Sequence, residues 1–212
     1  MKRLAIVGAS EVGCLIAHHA VSDGQFDVVG FFDDVMTASK YFPDIPVLGP
    51  VAQAAADYGR GDFDALAIGI GYARMDARAA VFETFRGRIP FATLIHSRSY
   101  VDRSCTIGEG VVVLPGSTVD FAVAIGDNVL IHNGCTVAHH TTIGAHSFLA
   151  PAVQMAGLVT VGERCFIGLG ATVKDCLTIG ERAVIGAGAV VIRNVPPATV
   201  SVGSPADVIR AV

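Results

Sequence analysis

From Val101 to Val191 every sixth residue is aliphatic, beginning Val101, Ile107, Val113, Val119, Ile125, Ile131 and Val137 and running on without a break, sixteen positions out of sixteen. A period of six matches neither the 3.6 of a helix nor the 2.0 of a plain strand, so it marks a solenoid. Four residues after each aliphatic comes mostly a small or branched residue, such as Ser117, Cys135, Thr141, Ala171 or Ala189. A longer period overlies the first: "IG" or "VG" recurs at 107, 125, 143, 161 and 179, always 18 apart. Three hexads per 18 residues give a coil with three flat sides. Its turns are expected to use glycine's freedom at positive φ, and its coils to stack about 4.8 Å apart, the ordinary strand spacing.

Residues 1–90 follow a different rhythm. "RLAIVGAS" predicts a buried strand, "EVGCLIAHHAVSDG" a helix and "FDVVGFFDD" a second strand. A helical segment near "VAQAAADYG", a third strand at "FDALAIGIG", a helix at "ARMDARAAVFETFRG" and a closing strand at "PFATLIH" complete it. Strands alternating with helices imply a parallel sheet, so residues 1–90 read as an α/β Rossmann-like half domain and residues 91–212 as an all-β domain of hexapeptide repeats.

Composition narrows the function classes. Hydrophobic residues make up 52% of the 212, yet no apolar run approaches the ~20 residues of a membrane helix. The opening "MKRLAIVGASEVG" ends its short apolar run in a glycine turn and not in a cleavage site, so neither a signal peptide nor a membrane partner is expected. Fifteen basic against nineteen acidic residues argue against a nucleic-acid partner. Five cysteines with no CxxC pair indicate neither a disulfide framework nor a zinc knuckle, and fit a reducing cytoplasm.

The repeat "[LIV]-G-x-x-[small]-x" resembles that of left-handed parallel β-helix acyltransferases, and the left hand is implied by that resemblance. A purely structural β-solenoid is the alternative. Together with the short N-terminal domain, the chain is similar to the bacterial nucleotide-amino-sugar N-acetyltransferases of the bacillosamine and perosamine type, and to the related sialic acid O-acetyltransferases. The carriers are "IVGASEVG", "FFDD", "LAIGIG", "ATLIHSRSYVDRSCTIGEG", "VAHHTTIG", "MAGLVTVGERCFIGLGATV" and "VSVGSPADVI".

His139 falls two residues after the inward Val137, at a coil edge, and Gly157 stands 18 residues on along the same edge. An imidazole one coil from a glycine amide can take the proton of an attacking amine while the amide donates to a thioester oxygen. The resemblance implies general base and oxyanion donor for these two. Family members flank the histidine with carboxylates; here Ala138 precedes it and His140 follows, with Asp120 one coil back as a substitute carboxylate. His132 aligns with an upstream family asparagine, next to Asn133. His146, one hexad on, is expected as a solvated edge residue. A zinc site using His96 and His132, two coils apart, is the competing reading, and no metal is expected.

The loop "GASEVG" frames a strand-to-helix turn whose amides suit a phosphate. Ser10 replaces the middle glycine of the dinucleotide fingerprint, and Asp33 and Asp34 stand where a ribose-binding carboxylate belongs. The resemblance places the nucleotide part of the substrate on Gly8, Ser10, Glu11, Val12, Asp33, Asp34, Gly71 and His132. It places coenzyme A along Phe148, Leu169 and Ala187, with "VGSPADVI" near the adenine end. It further implies a homotrimer with a site at each subunit boundary, which apolar outward residues such as Phe121, Leu130 and Phe166 suit. The expected activity is transfer of acetyl from acetyl-CoA to the amine of a nucleotide-linked amino sugar for surface glycans. A sugar O-acetyltransferase and a non-catalytic nucleotide-sugar-binding scaffold are the alternatives.

Overall fold

The computed structural model describes residues 1–212, and the chain separates into two compact units, Met1–Leu94 and Ile95–Val212. In the first, strands β1 (Lys2–Val7), β2 (Phe26–Phe32), β3 (Val47–Gly49) and β4 (Ala65–Ile68) form a parallel sheet in the order β3-β2-β1-β4. Helices α1 (Glu11–Ser22), α2 (Ala54–Gly59) and α3 (Met75–Phe85) connect and cover it. The inner half of β1 and all of β4 are buried, as strands covered on both faces must be. Phe32, Phe63, Phe82 and Phe91 fill the core, with Phe82 stacked on Phe91 at 4.3 Å between ring centroids.

One close approach sets the local geometry. A Cβ on Gly13 would collide with the Gly8 carbonyl, and one on Gly69 with the Gly13 Cα. Three glycines therefore let the first turn of α1 sink between the ends of β1 and β4. The sequence reading missed β3, an edge strand enclosed by Pro46 and Pro50. It also overextended "PFATLIH", which supplies only the Phe91–Leu66 bridge and the short strand Leu94–Ile95.

The second unit is a parallel β-helix. Its strands fall into three sheets of five, eight and six; they are two residues long and pair in parallel with the strand 18 residues away, as Val137 does with Met155 and Ile143 with Val161, except the last two, Thr199–Val202 and Asp207–Ala211, which end the eight-stranded sheet as an antiparallel pair. The hexad aliphatics point inward as one continuous core. The small residues also point in, and several satisfy the coil's own carbonyls. Ser117 donates to His132 O (2.8 Å), Thr141 to Ala156 O (3.2 Å), Ser147 to Gly162 O (3.0 Å) and the Cys135 thiol to Ala150 O (3.2 Å), each 15 residues ahead. Hydroxyls and thiols at this phase are buried donors with a fixed acceptor.

Glycine's role in the turns differs from the expectation. Every sixth residue from 110 to 188 has positive φ, fourteen corners in all, but only five are glycine. The other nine include Asn128, His140, His146, Leu158 and Arg164. The glycines of the "IG" motif lie elsewhere. A Cβ on Gly108, Gly126, Gly144 or Gly162 would meet the backbone of the next coil at 2.5–2.7 Å. Those glycines are set by coil stacking, not by turn conformation.

Candidate active site

In the first unit a cleft of about 390 Å³ opens beyond the C-terminal ends of β1, β2 and β4, lined by Gly8, Ser10, Asp33, Asp34, Gly71 and Arg74 among others. Ligands of open α/β sheets bind at such a place. Asp33 is held from three sides: Oδ2 accepts from the Ala9 amide (2.9 Å), and Oδ1 from the amides of Val35 and Met36 (2.9 Å each). Burial pushes its pKa up, but those three hydrogen bonds, with the charge of Arg74, outweigh burial and leave it lowered. Asp34 Oδ1 accepts from the Val51 amide at 2.8 Å. Both carboxylates thus shape the rim of the cleft.

Two residues expected here, Glu11 and Val12, are not among those lining the cleft. Val12 packs against Gly71, with Cγ2 3.3 Å from where a Gly71 Cβ would stand. Glu11 lines a separate hollow with Cys14, His18 and Tyr41, so its charge does not face the cleft. The sequence reading missed Arg74 and Arg78, an i, i+4 pair just after "AIGIGY", because the segment was read for its helical period alone. Arg78 is fully buried, donates from Nη1 to Ile68 O (2.8 Å) and Ile70 O (3.2 Å), and burial pulls its pKa down to about 9.

In the second unit His139 lies at an exposed corner over Gly157. A Cβ on Gly157 would fall 2.6 Å from Cε1 and 2.7 Å from Nε2 of His139, so the imidazole occupies the place any side chain would need. The amides flanking Gly157 are engaged, Ala156 with Val173 O and Leu158 with His139 O (3.0 Å each), while the Gly157 N–H gives no hydrogen bond within the chain. A proton acceptor and a spare amide therefore share one corner.

His139 Nδ1 lies 3.1 Å from His140 Nδ1, and the His140 ring meets Phe121 edge-on with centroids 5.2 Å apart. Asp120 makes no hydrogen bond to either imidazole. Its Oδ1 accepts from the adjacent Phe121 amide at 2.7 Å, which turns the group into its own corner. His146 is not solvated either; it is 5% exposed, and Asn128 Nδ2 is 3.0 Å from its Nδ1.

The remaining residues sit on other parts of the prism. His132 and Phe148 belong to the eight-stranded face, and Leu169 and Ala187 to the corner that follows it. The six-stranded face separates that corner from His139. Burial lowers the His132 pKa against a hydrogen bond to Asn133. His96 is buried, with Nδ1 accepting from the Arg98 amide at 3.1 Å, and no three His, Cys, Asp or Glu side chains gather as a metal site would need. Burial pushes the Cys135 and Cys165 thiols up to about 11, which keeps them protonated and poor nucleophiles.

Residues 3–85 match the model of the PglD N-terminal domain. Residues 122–157 match the bacterial transferase hexapeptide (six repeats), and 158–193 the hexapeptide repeat of succinyl-transferase. No curated protein matches the chain by sequence. Among solved structures, the acetyltransferase domain of PglB from Neisseria gonorrhoeae FA1090, in complex with acetyl coenzyme A, is similar with a TM-score of 0.90 and 26% identity, over 98% of this chain and 99% of that one. A histidine-to-alanine variant of GDP-perosamine N-acetyltransferase from Caulobacter crescentus, in complex with CoA and GDP-perosamine, is similar with a TM-score of 0.87 and 30% identity, over 99% of this chain and 97% of that one.

The chain belongs to the nucleotide-amino-sugar N-acetyltransferases of the hexapeptide class. As a member of that class it is an acyltransferase built on a left-handed β-helix. For this N-acetyltransferase the departure at the candidate base is now concrete: the ring partner of His139 is a second imidazole.

Proposed function

We propose that this N-acetyltransferase moves the acetyl group of acetyl-CoA to the amine of a nucleotide-linked amino sugar, with His139 as general base. The observation that carries this reading is His139 lying on Gly157 with the Gly157 N–H unspent. The amine nitrogen attacks the thioester carbonyl carbon, and the carbonyl oxygen gains negative charge that the Gly157 N–H accommodates. His139 Nε2 takes the proton from the nitrogen. The C–S bond then breaks, CoA leaves as thiolate, and that proton can return to it. For Nε2 to be the acceptor, the proton of the short contact must sit on His139 Nδ1 and be donated to His140 Nδ1. Cys135 and Cys165, their thiols held protonated, support direct attack without an acyl-enzyme.

The two solved relatives support the substrate classes: one holds acetyl coenzyme A, the other CoA and GDP-perosamine. The cleft of the first unit would hold the nucleotide. Leu169 and Ala187, on a different corner from His139, would line the pantetheine of acetyl-CoA. A thioester along that corner reaches His139 most simply from a neighbouring copy, which supports a homotrimer with one site per boundary. Exposed Phe121, Leu158 and Leu169, each just over half exposed, suit burial in such an assembly. A cytoplasmic enzyme of surface polysaccharide or glycoprotein synthesis fits this chemistry.

The test mixes protein and acetyl-CoA with UDP-, GDP- and dTDP-linked amino sugars and follows release of free thiol. Thiol release that requires the sugar amine and vanishes in His139→Ala is the expected result. Silence with every amine and hydroxyl acceptor would favour a nucleotide-sugar-binding scaffold.

A further inference from the structure

A nucleotide diphosphate brings two or three negative charges, and no lysine lines the cleft that would receive it. The glycine-rich turn supplies backbone amides and the neutral Ser10 hydroxyl but no positive charge, and the two aspartates at the rim add charge of the wrong sign. One side chain answers this. Arg74, in the turn between β4 and α3, lines the cleft, is exposed, and makes no hydrogen bond or ion pair through its guanidinium. Its charge is felt inside the cleft, since it helps hold the Asp33 carboxylate below its ordinary pKa.

Its backbone is fixed from below. The Arg74 amide donates to Gly71 O at 3.1 Å. One helical turn on, Arg78 is buried beneath the same wall with its guanidinium on the carbonyls of Ile68 and Ile70. Neutralising those carbonyls fixes the Gly69–Gly71 loop from which Arg74 projects, and places a second cation behind it. Gly8 and Ser10, which lead into the first turn of α1, line the same cleft, and the amides of that turn carry the positive end of the helix dipole. An anion in the cleft meets positive potential from that turn and from Arg74.

We propose that Arg74 is the phosphate-pairing residue of the nucleotide site and sets its preference for diphosphates over nucleosides, with Arg78 as a positioning residue behind it. This rests on the nucleotide-sugar reading for its substrate class. Arg74's planar fork can hold two phosphate oxygens at once, which a lysine cannot do.

The experiment titrates the full-length protein with GDP, UDP and dTDP, and separately with guanosine, uridine and thymidine, by calorimetry at two salt concentrations. Arg74→Ala should weaken binding of the preferred diphosphate by at least about tenfold, with the matching nucleoside moved less than about twofold. Arg74→Lys should recover only part of the loss, and the salt dependence of diphosphate binding should flatten in Arg74→Ala. Arg74 is exposed, so unchanged thermal unfolding serves as the folding control. Equal diphosphate affinity in wild type and Arg74→Ala overturns the proposal, even if acetyl transfer through His139 stands. A wild-type protein that binds none of the three diphosphates overturns it too. Weakened diphosphate binding in a protein that acetylates nothing supports Arg74 and removes the catalytic reading instead.

Discussion

The corners at His140 and His146 lie six residues apart on nearly the same backbone, with φ of 57° and 62°, and each presents an imidazole. His140 is exposed, edge-on to Phe121 and in contact with the ring of His139. His146 is buried and bonded to the Asn128 side chain one coil back. The hexad phase makes the backbone of both corners alike. What differs is the column stacked along the helix axis: Phe121, His139 and Gly157 beside one, Asn128 and Arg164 in line with the other. In this solenoid, phase gives conformation and column gives chemistry.

The sharpest way to break that comparison is to remove each function separately. His139→Ala should lower kcat/KM by about 10²–10⁴, the usual contribution of a positioned general base, while stability stays within about 0.5 kcal/mol as for other exposed side chains. Kinetics and a thermal melt on the same preparation check it. Loss of stability without loss of rate would make His139 a structural residue. Next in size is Gly157→Ala. Its methyl group would enter the space of the His139 ring, and a base displaced by about 1 Å loses on the order of 10² in rate. A variant that keeps full rate would mean that the ring does not react from this position.

The opposite result is expected at His146. Replacing it by alanine removes the ring that Asn128 Nδ2 faces inside a buried corner, which should cost about 1–3 kcal/mol of stability. The measurement is denaturant unfolding, with kcat/KM unaltered well below the melting temperature. A change in kcat/KM as large as that of His139→Ala would dissolve the distinction between the two corners.

The sequence made phase legible and columns only partly so. The sixteen inward aliphatics are readable because burial acts on each coil alike, and the 18-residue winding followed from the spaced glycines. The stacking of Gly157 on His139 was readable by adding 18. Solvent exposure of a corner was not, since His146 carries the same local signal as His140 and is buried by residues far from it in the chain. The misassigned glycines have a related cause. A glycine compelled by a close neighbouring backbone looks the same in one dimension as a glycine compelled by positive φ. In the first unit, the reading of "GASEVG" gave Glu11 the cleft, whereas the turn of α1 carries that side chain to another hollow. The cation that does line the cleft comes from Arg74, some sixty residues later, where helical periodicity hid it.

The smallest effect sharpens the comparison most, because it asks what an imidazole does at residue 140, where the resemblance leads one to expect a carboxylate. A neutral His140 can accept the Nδ1 proton of His139 but adds no negative charge. His140→Asp would set a negative charge beside the protonated form of the His139 ring and favour it, so the acid limb of the pH–kcat/KM profile should move to higher pH. His140→Asn keeps a side chain that tolerates the left-handed corner without adding charge, and should leave the limb in place. The rate at the plateau should change by less than about tenfold in either variant, equivalent to about 1.4 kcal/mol of barrier. A structural role alone would alter stability in both variants and shift the limb in neither. Coincident profiles for the Asp and Asn variants would therefore demote His140 to a corner residue, whereas displacement in the Asp variant alone would identify it as the group that positions the base.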